Sequence, residues 1–207
     1  MASSYAIIVA SDRGYILGLL ALLNSMLRLG VNLDTDIILI HDGWDTDLIC
    51  HGDLKICPID AVKTAGSFNV VQRYSLPLSL APNYDAVAVF DADMFVTASL
   101  SSLFRAAEFG CPIGANDDTH VDQGQYVRTD GSQVLDRYSY KVVCNSPWFA
   151  ATSDYLKVCQ DFQKLLPSLA NGGELEAFNL ALSSNSSILD RMICLPSAQL
   201  NGIHHTF

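Results

Sequence analysis

Three short runs of apolar residues constrain the fold of this chain more than any other feature. They are "YAIIVA" at 5–10, "TDIILIH" at 35–41 and "AVAVFD" at 86–91, and β-branched residues are frequent in them. Runs that are apolar at nearly every position are typical of strands buried on both faces of a sheet. A helical pattern at 15–29 follows the first run, and Gly30 ends it. The alternation predicts an α/β fold with a mostly parallel central sheet and helices on both faces.

The rest of the chain continues this alternation and contains no repeat, low-complexity tract or linker, so we expect one domain. Residues 116–142 are polar and irregular, which fits a functional lid and a plain surface excursion equally well. Ser153 is the expected N-cap of a helix. The further predicted elements are strands at 54–60, 111–115, 141–152 and 188–196, and helices at 68–80, 99–109, 153–166 and 173–184.

Composition excludes several classes of protein. Half of the 207 residues are hydrophobic and 16% are charged, which argues against disorder. A net charge of −10 argues against binding of nucleic acid. The sequence shows neither a secretory signal nor a membrane span. The cysteines form no C-x-x-C pair and mostly lie in apolar runs, so we expect reduced, buried core residues of an intracellular, cytoplasmic protein. They are Cys50, Cys57, Cys111, Cys144, Cys159 and Cys194.

Asp91 and Asp93 follow the third apolar run directly. Residues i and i+2 of a strand share a face, so we expect both side chains to point to the same side. They then lie at the carboxyl end of a central strand, where open α/β sheets bind ligands. Two carboxylates with few cations nearby suit a hard divalent metal ion that also carries phosphate oxygens. The alternative is a strand end with two solvated aspartates.

A second class of enzyme also places D-x-D after an apolar strand. Phosphohydrolases of the haloacid dehalogenase type use D-x-D-x-[TV], with the first aspartate as nucleophile. Here Phe95 occupies the fifth position, the motif lies in the middle of the chain, and no later Gly-Asp-x-x-x-Asp motif follows. This interpretation of Asp91 and Asp93 remains the alternative.

Five stretches spread over nearly the whole chain form an ordered series. They are "ASDRGYILGLLALLNSM" at 10–26, Arg73 ahead of Leu-Pro and D-x-D, "CNSPWFAA" at 144–151, "NGGELEAFN" at 171–179 and "ICLPSAQLN" at 193–201. In this order they resemble the motifs of glycosyltransferase family 8, the glycogenin-like enzymes. The resemblance implies the Rossmann-like GT-A fold. It also implies transfer of a sugar, with retention, from a UDP-sugar donor to a glycan or protein acceptor.

The resemblance also implies roles for residues of the first half of the chain. Tyr15 would stack on the uracil ring, for which an aromatic face is a natural platform. Arg73 would reach the pyrophosphate or the sugar as a charge-assisted donor. The turn that would hold the base consists of Ala10, Ser11 and Asp12.

The metal site that the resemblance implies is shared between the D-x-D motif and the end of the chain. Asp91 would contact the ribose and the metal, Asp93 would bind the metal, and Ala92 lies between them. The family's third ligand is a histidine, for which this chain offers His204 and His205. An imidazole ligand favours Mn²⁺ over Mg²⁺.

The second half of the chain would bind the sugar and the acceptor, with the division between the halves near residue 95. Glu174 stands at the family's aspartate close to the reacting sugar, and Asn145 and Ser146 would bind sugar hydroxyls. Leu175 replaces the family's glutamine, and the lysine that normally meets the pyrophosphate is missing because the sequence stops at Phe207. These departures leave open a domain cut from a longer polypeptide, and a nucleotide-sugar-binding domain without transferase activity.

Overall fold

The structure is a computed structural model. It describes residues 4–31, 34–49, 53–116, 143–168 and 173–195. Side chains are described over the same ranges except at positions 48, 116, 143–145 and 168.

The described residues form a seven-stranded sheet with the strand order β3-β2-β1-β4-β6-β5-β7. Strands β1 to β4 are parallel to one another, β6 runs antiparallel to β4 and β5, and β7 is parallel to β5. The sheet is therefore mostly parallel, which confirms the predicted fold class. The strands are β1 (Tyr5–Ser11), β2 (Thr35–His41), β3 (Ile56–Asp60), β4 (Ala86–Asp91), β5 (Ile113–Asn116), β6 (Val143–Ala151) and β7 (Ile193–Leu195).

Helices cover both faces of the sheet, also as predicted. One apolar cluster packs α1 and α3 on one face, and a second packs α4 and α5 on the other. In β1, Ile7 and Val9 belong to the first cluster, whereas Ala6 and Ile8 belong to the second. The helices are α1 (Ile16–Arg28), α2 (Ala61–Ala65), α3 (Ser101–Glu108), α4 (Thr152–Leu165), α5 (Glu174–Ser184) and α6 (Ser186–Leu189).

The amino-terminal edge of the sheet holds a buried polar group. Asp36, near the start of β2, is 1% exposed. The Tyr84 hydroxyl donates a hydrogen bond of 2.9 Å to Asp36 Oδ2, and Lys55 forms an ion pair with the same oxygen. Because a buried carboxylate is costly without partners, these two contacts stabilise the amino ends of the parallel strands.

The predicted helix at 68–80 is wrong. This segment forms three short 3₁₀ turns, Val70–Tyr74, Leu76–Ser79 and Ala81–Asn83. Pro77 and Pro82 lie within the second and third turns, lack the N–H that a helix needs, and disfavour helical geometry in the preceding residue. The segment is therefore a chain of turns that packs on the α4 and α5 face.

Two further boundaries differ from prediction. Ser153 is the second residue of α4 and not its N-cap, because Thr152 begins the helix directly after β6. The Thr152 hydroxyl instead donates a hydrogen bond of 2.7 Å to the Tyr84 carbonyl. The predicted strand at 188–196 begins only at Ile193, because 186–189 forms α6, and residue 196 lies outside the described part.

Within the described residues no helix is long and apolar enough to cross a membrane. Of the four cysteines whose side chains the structure describes, Cys159 is buried, whereas Cys57, Cys111 and Cys194 are partly exposed. The prediction of buried core cysteines is therefore correct for one of these four. The side chains of the two other cysteines lie outside the described part.

We expect Phe104→Ala to destabilise the fold by about 3–5 kcal/mol, because it leaves a cavity in the first cluster. Phe104 stacks on Tyr5 at a centroid distance of 4.8 Å and meets Phe149 edge-on at 5.2 Å. The control is Phe109→Ala, whose ring is 76% exposed and whose loss should change stability by no more than about 0.5 kcal/mol. Urea unfolding measures both, and equal effects would contradict this packing.

Candidate functional site

The candidate site lies at the carboxyl edge of the parallel strands. The chain passes from β1 outwards to β2 and β3, and then returns to form β4 on the other side of β1. This reversal creates a switch point, at which open α/β sheets bind ligands beyond the strand ends. Ala10 of β1 pairs with Asp91 of β4 at that point. The structure thus brings two of the predicted site residues side by side.

A tight turn follows β1 and is built by Asp12. Its Oδ1 accepts hydrogen bonds from the backbone N–H groups of Gly14 (2.8 Å) and Tyr15 (3.1 Å), and so caps the short 3₁₀ turn that precedes α1. Ser11 is buried, and its hydroxyl donates to the Asp12 carbonyl at 3.1 Å. The Tyr15 side chain is 55% exposed. An aromatic face is therefore available beside a turn of fixed shape.

Two residues that follow β2 support this turn and were not predicted from the sequence. Trp44 Nε1 donates a hydrogen bond of 3.2 Å to the Ser11 carbonyl. The Arg13 backbone N–H donates to Asp42 Oδ2 at 3.3 Å. The sequence feature that could have indicated both residues is "HDGWD" at 41–45, a polar and aromatic segment at the end of a buried strand.

The D-x-D motif is a turn and not the continuation of a strand. β4 ends at Asp91, and the Met94 N–H donates to the Asp91 carbonyl at 3.3 Å. The expectation that Asp91 and Asp93 share one face of a strand is therefore wrong, because the strand geometry stops between them. Asp93 is exposed and Ala92 is buried.

Gly18 allows α1 to approach this turn closely. A Cβ atom at position 18 would lie 3.1 Å from the Ala92 carbonyl oxygen and 3.2 Å from Asp93 Cα. Both are backbone atoms, so any larger residue would displace the turn or the helix. The glycine in the first part of α1 thus fixes the distance between α1 and the motif.

Arg73 is the charge partner of Asp91. Its side chain is 2% exposed, and its Nη1 forms an ion pair with Asp91 Oδ1. The expectation of few cations near the motif is wrong, because this buried guanidinium belongs to a segment 18 residues earlier in the chain. The Asp91 side chain remains 40% exposed on its other side. Arg73 therefore anchors a carboxylate that still faces the solvent.

The same guanidinium also binds the carboxylate at the start of α5. Arg73 Nε donates to Glu174 Oε1 at 2.8 Å, and Nη2 lies 2.6 Å from the same oxygen. Burial alone would lower the pKa of Arg73, but Tyr74, Asp91 and Glu174 outweigh it, so the pKa is raised above its ordinary value. Arg73 is permanently charged and joins two carboxylates from distant parts of the sequence.

Helix α4 holds the backbone of the turn that carries Arg73. The Tyr155 hydroxyl donates a hydrogen bond of 2.5 Å to the Arg73 carbonyl, and Gln163 Nε2 donates one of 2.9 Å to the Tyr74 carbonyl. The Tyr74 ring lies 4.6 Å from that of Phe162, also on α4. No sequence pattern had indicated these contacts.

Ser146 lies close to the motif, whereas the remaining predicted residues are not placed. Ser146 is buried in β6, with its hydroxyl 3.4 Å from the Val89 carbonyl and 3.5 Å from Met94 Sδ. Asn145 lies in β6, but its side chain is outside the described part. His204 and His205 lie outside the described residues.

The described carboxylates are compatible in kind with a divalent metal ion, although their set is incomplete. Asp93 and the exposed side of Asp91 offer oxygen ligands, which hard divalent ions prefer. Glu174 is held by Arg73. No cluster of three or more His, Cys, Asp or Glu suited to a metal ion occurs within the described residues. Further ligands would have to come from a diphosphate or from other parts of the chain.

Glu176, in the first turn of α5, is a second unusual carboxylate. It is 4% exposed, and its Oε1 has no hydrogen-bond partner among the described residues. Its side chain folds back over Gly173, where a Cβ atom would lie 2.5 Å from Glu176 Oε2. Burial raises the pKa of Glu176 above its ordinary value. The first turn of α5 thus carries one ion-paired and one unpaired glutamate.

Comparison with known proteins shows the fold. No protein-family model matches the chain, and no curated protein matches its sequence. The solved structure of a bifunctional glycosyltransferase, WbbM, in its apo form is similar, with a TM-score of 0.64 and 15% sequence identity. The match covers 95% of this chain but only 39% of that chain. The described α/β architecture is thus similar in fold to part of that structure.

We expect Arg73→Met to destabilise the protein by about 3–5 kcal/mol, because it leaves two carboxylates without their buried partner. The control is Lys164→Met, which removes an exposed ion pair of 2.8 Å with Asp161 and should cost less than about 1 kcal/mol. Denaturant unfolding near neutral pH measures both. A wild-type stability in Arg73→Met would show that the buried pairs do not hold the site together.

Glu176 gives a prediction for the pH dependence of stability. Because its pKa is raised in the folded protein, its stabilising contribution is complete below the ordinary pKa of 4.5 and is lost as the pH rises through the raised value. We therefore expect Glu176→Gln to gain stability relative to the wild type between about pH 4 and about pH 7. Thermal unfolding across this range measures the gain. The exposed Asp85→Asn is the control, and a pH-independent difference for Glu176→Gln would contradict the prediction.

Proposed function

We propose that this chain is a glycosyltransferase similar to family 8, the glycogenin-like enzymes, and that it uses a nucleotide sugar, with a UDP-sugar as donor. One observation carries the proposal. In a glycosyltransferase-like fold, Arg73 joins the first aspartate of D-x-D to Glu174 at the switch point of the sheet. Both carboxylates stand at positions to which the motif resemblance assigns contact with the donor.

The nucleoside would lie at the end of β1. The turn of Ala10, Ser11 and Asp12 presents backbone groups in a fixed arrangement, and the exposed Tyr15 ring offers a stacking platform for uracil. Trp44 stabilises this turn through its hydrogen bond to the Ser11 carbonyl.

A divalent ion, Mn²⁺ or Mg²⁺, would be held by Asp91 and Asp93, with His204 or His205 as a third ligand. When bound, such an ion neutralises charge on the diphosphate leaving group. Arg73 holds Asp91 in place from the buried side, so its role in the proposal is to orient this carboxylate. Ala92 sets the spacing between the two aspartates.

The sugar would lie between β4, β6 and the start of α5. Ser146 and Asn145 would bind its hydroxyls, and Glu174 would face the reacting carbon, held by the fork of Arg73. We propose retention of configuration from the motif resemblance. The part up to about residue 95 would bind the nucleotide. The part that follows would bind the sugar and a glycan or protein acceptor.

The first test is calorimetric titration of UDP with and without Mn²⁺. We expect binding that requires the metal and that Asp93→Ala weakens by about tenfold or more, because it removes a ligand. The control is Asp85→Ala, an exposed aspartate just before the start of β4, which should bind as the wild type does.

The other outcomes separate the alternatives. Release of phosphate from phosphomonoesters without affinity for UDP would favour the haloacid dehalogenase type of phosphohydrolase. Metal-dependent binding of UDP without hydrolysis or transfer of any UDP-sugar would indicate a binding domain. Absence of all of these activities would overturn the proposal.

A further inference from the structure

We propose that Tyr155 and Gln163, on helix α4, are positioning residues of the donor site that act through Arg73. The inference rests on the function proposed above and goes beyond it, because neither residue belongs to a motif or reaches the edge of the sheet. The two side chains bind consecutive backbone carbonyls, those of Arg73 and Tyr74. They form what we call the α4 clamp.

The clamp acts on a segment that has little regular structure to hold it. Arg73 lies in the 3₁₀ turn Val70–Tyr74, the first of three short turns between α2 and β4. Carbonyl groups at the end of such a turn have no helical partner. Tyr155 and Gln163 supply partners to two of these carbonyls from a helix of 14 residues. The backbone at Arg73 is thereby tied to a rigid element.

The position of this backbone decides where the guanidinium lies. Arg73 Nη1 binds Asp91, and its Nε and Nη2 converge on one oxygen of Glu174. Because these contacts are short and directional, a displacement of the turn weakens both pairs together. Asp91 would then lose the orientation that the donor site requires. The clamp is thus connected to the ligand through one buried side chain.

The environment of Tyr155 favours a specific role for its hydroxyl group. The residue is fully buried, with its ring 6.2 Å from that of Trp148. A phenylalanine ring would fill the same volume, and a buried hydroxyl group costs free energy unless it forms a hydrogen bond. Burial raises the pKa of Tyr155 well above its ordinary value, so the hydroxyl stays a donor. The sequence therefore uses a polar ring where an apolar ring would suffice for packing.

The chain offers a matched control in Tyr84. Its hydroxyl also forms a hydrogen bond with a buried group, Asp36, but at the amino-terminal edge of the sheet. Tyr84→Phe and Tyr155→Phe remove the same atom, together with its bond to Asp36 or to the Arg73 carbonyl and its contact with a neighbouring cysteine, Cys57 or Cys159. A general loss of stability affects both variants, whereas a loss of positioning affects only Tyr155→Phe.

The experiment is titration of UDP with Mn²⁺ on the full chain, together with thermal unfolding of the ligand-free variants. We expect both variants to unfold at lower temperature than the wild type. We expect Tyr155→Phe to weaken UDP binding by about tenfold, as is typical when a residue that supports a ligand-binding side chain is lost. Tyr84→Phe should stay within about twofold of the wild type.

Gln163→Met is the second variant. It tests the α4 clamp if Tyr155→Phe does not fold. Gln163 is exposed, so its substitution spares the core and removes only the bond to the Tyr74 carbonyl. We expect weaker UDP binding without a large change in unfolding temperature. Wild-type affinity in Gln163→Met, with Tyr155→Phe unfolded, would overturn the inference.

The outcomes distinguish this inference from the function on which it rests. If the wild type does not bind UDP under any condition, both are overturned. If the wild type binds UDP and Asp93→Ala does not, the proposed nucleotide site stands. Equal affinities for Tyr155→Phe and Tyr84→Phe would then overturn the α4 clamp alone.

Discussion

The buried guanidinium of Arg73 is the interaction on which the candidate site depends. It brings together the end of β4 and the start of α5, which are separated by more than 80 residues in the sequence. Such a charge is tolerated in the interior only because two carboxylates and a hydrogen-bonded turn surround it. The pair with Asp91 also explains why a strand of apolar residues can end in an aspartate. The fold and the site therefore share one electrostatic centre.

The parallel strands of the sheet position the ion pairs of Arg73. Its parallel half ends with Ser11, His41, Asp60 and Asp91 at one edge, while the apolar clusters on both faces keep the strands in place. The opposite edge has its own buried polar group, at Asp36. The buried polar groups at the two edges thus consist of separate side chains.

The sequence was sufficient to predict the elements whose signal is local. The apolar runs placed β1, β2 and β4, and the helical pattern placed α1, because burial on both faces and amphipathic spacing are visible in a short window. It failed where the outcome depends on distant residues. The Arg73–Glu174 pair spans 101 positions, and the hydrogen bond from Tyr155 spans 82. The turns at 70–83 were predicted as a helix, although Pro77 and Pro82 are residues that disfavour one.

The register of β1 against β4 has a consequence for how the site is specified. Six consecutive pairs, from Tyr5 with Ala86 to Ala10 with Asp91, align the two strands. Val87 and Val89 face the α4 and α5 side, whereas Ala88 and Phe90 face the α1 and α3 side. A slip of one residue would exchange these faces and direct Asp91 away from Arg73. The apolar side chains of β4 and the Arg73–Asp91 ion pair thus select the same register. A chain that pairs the two strands out of register loses its core packing and this ion pair together.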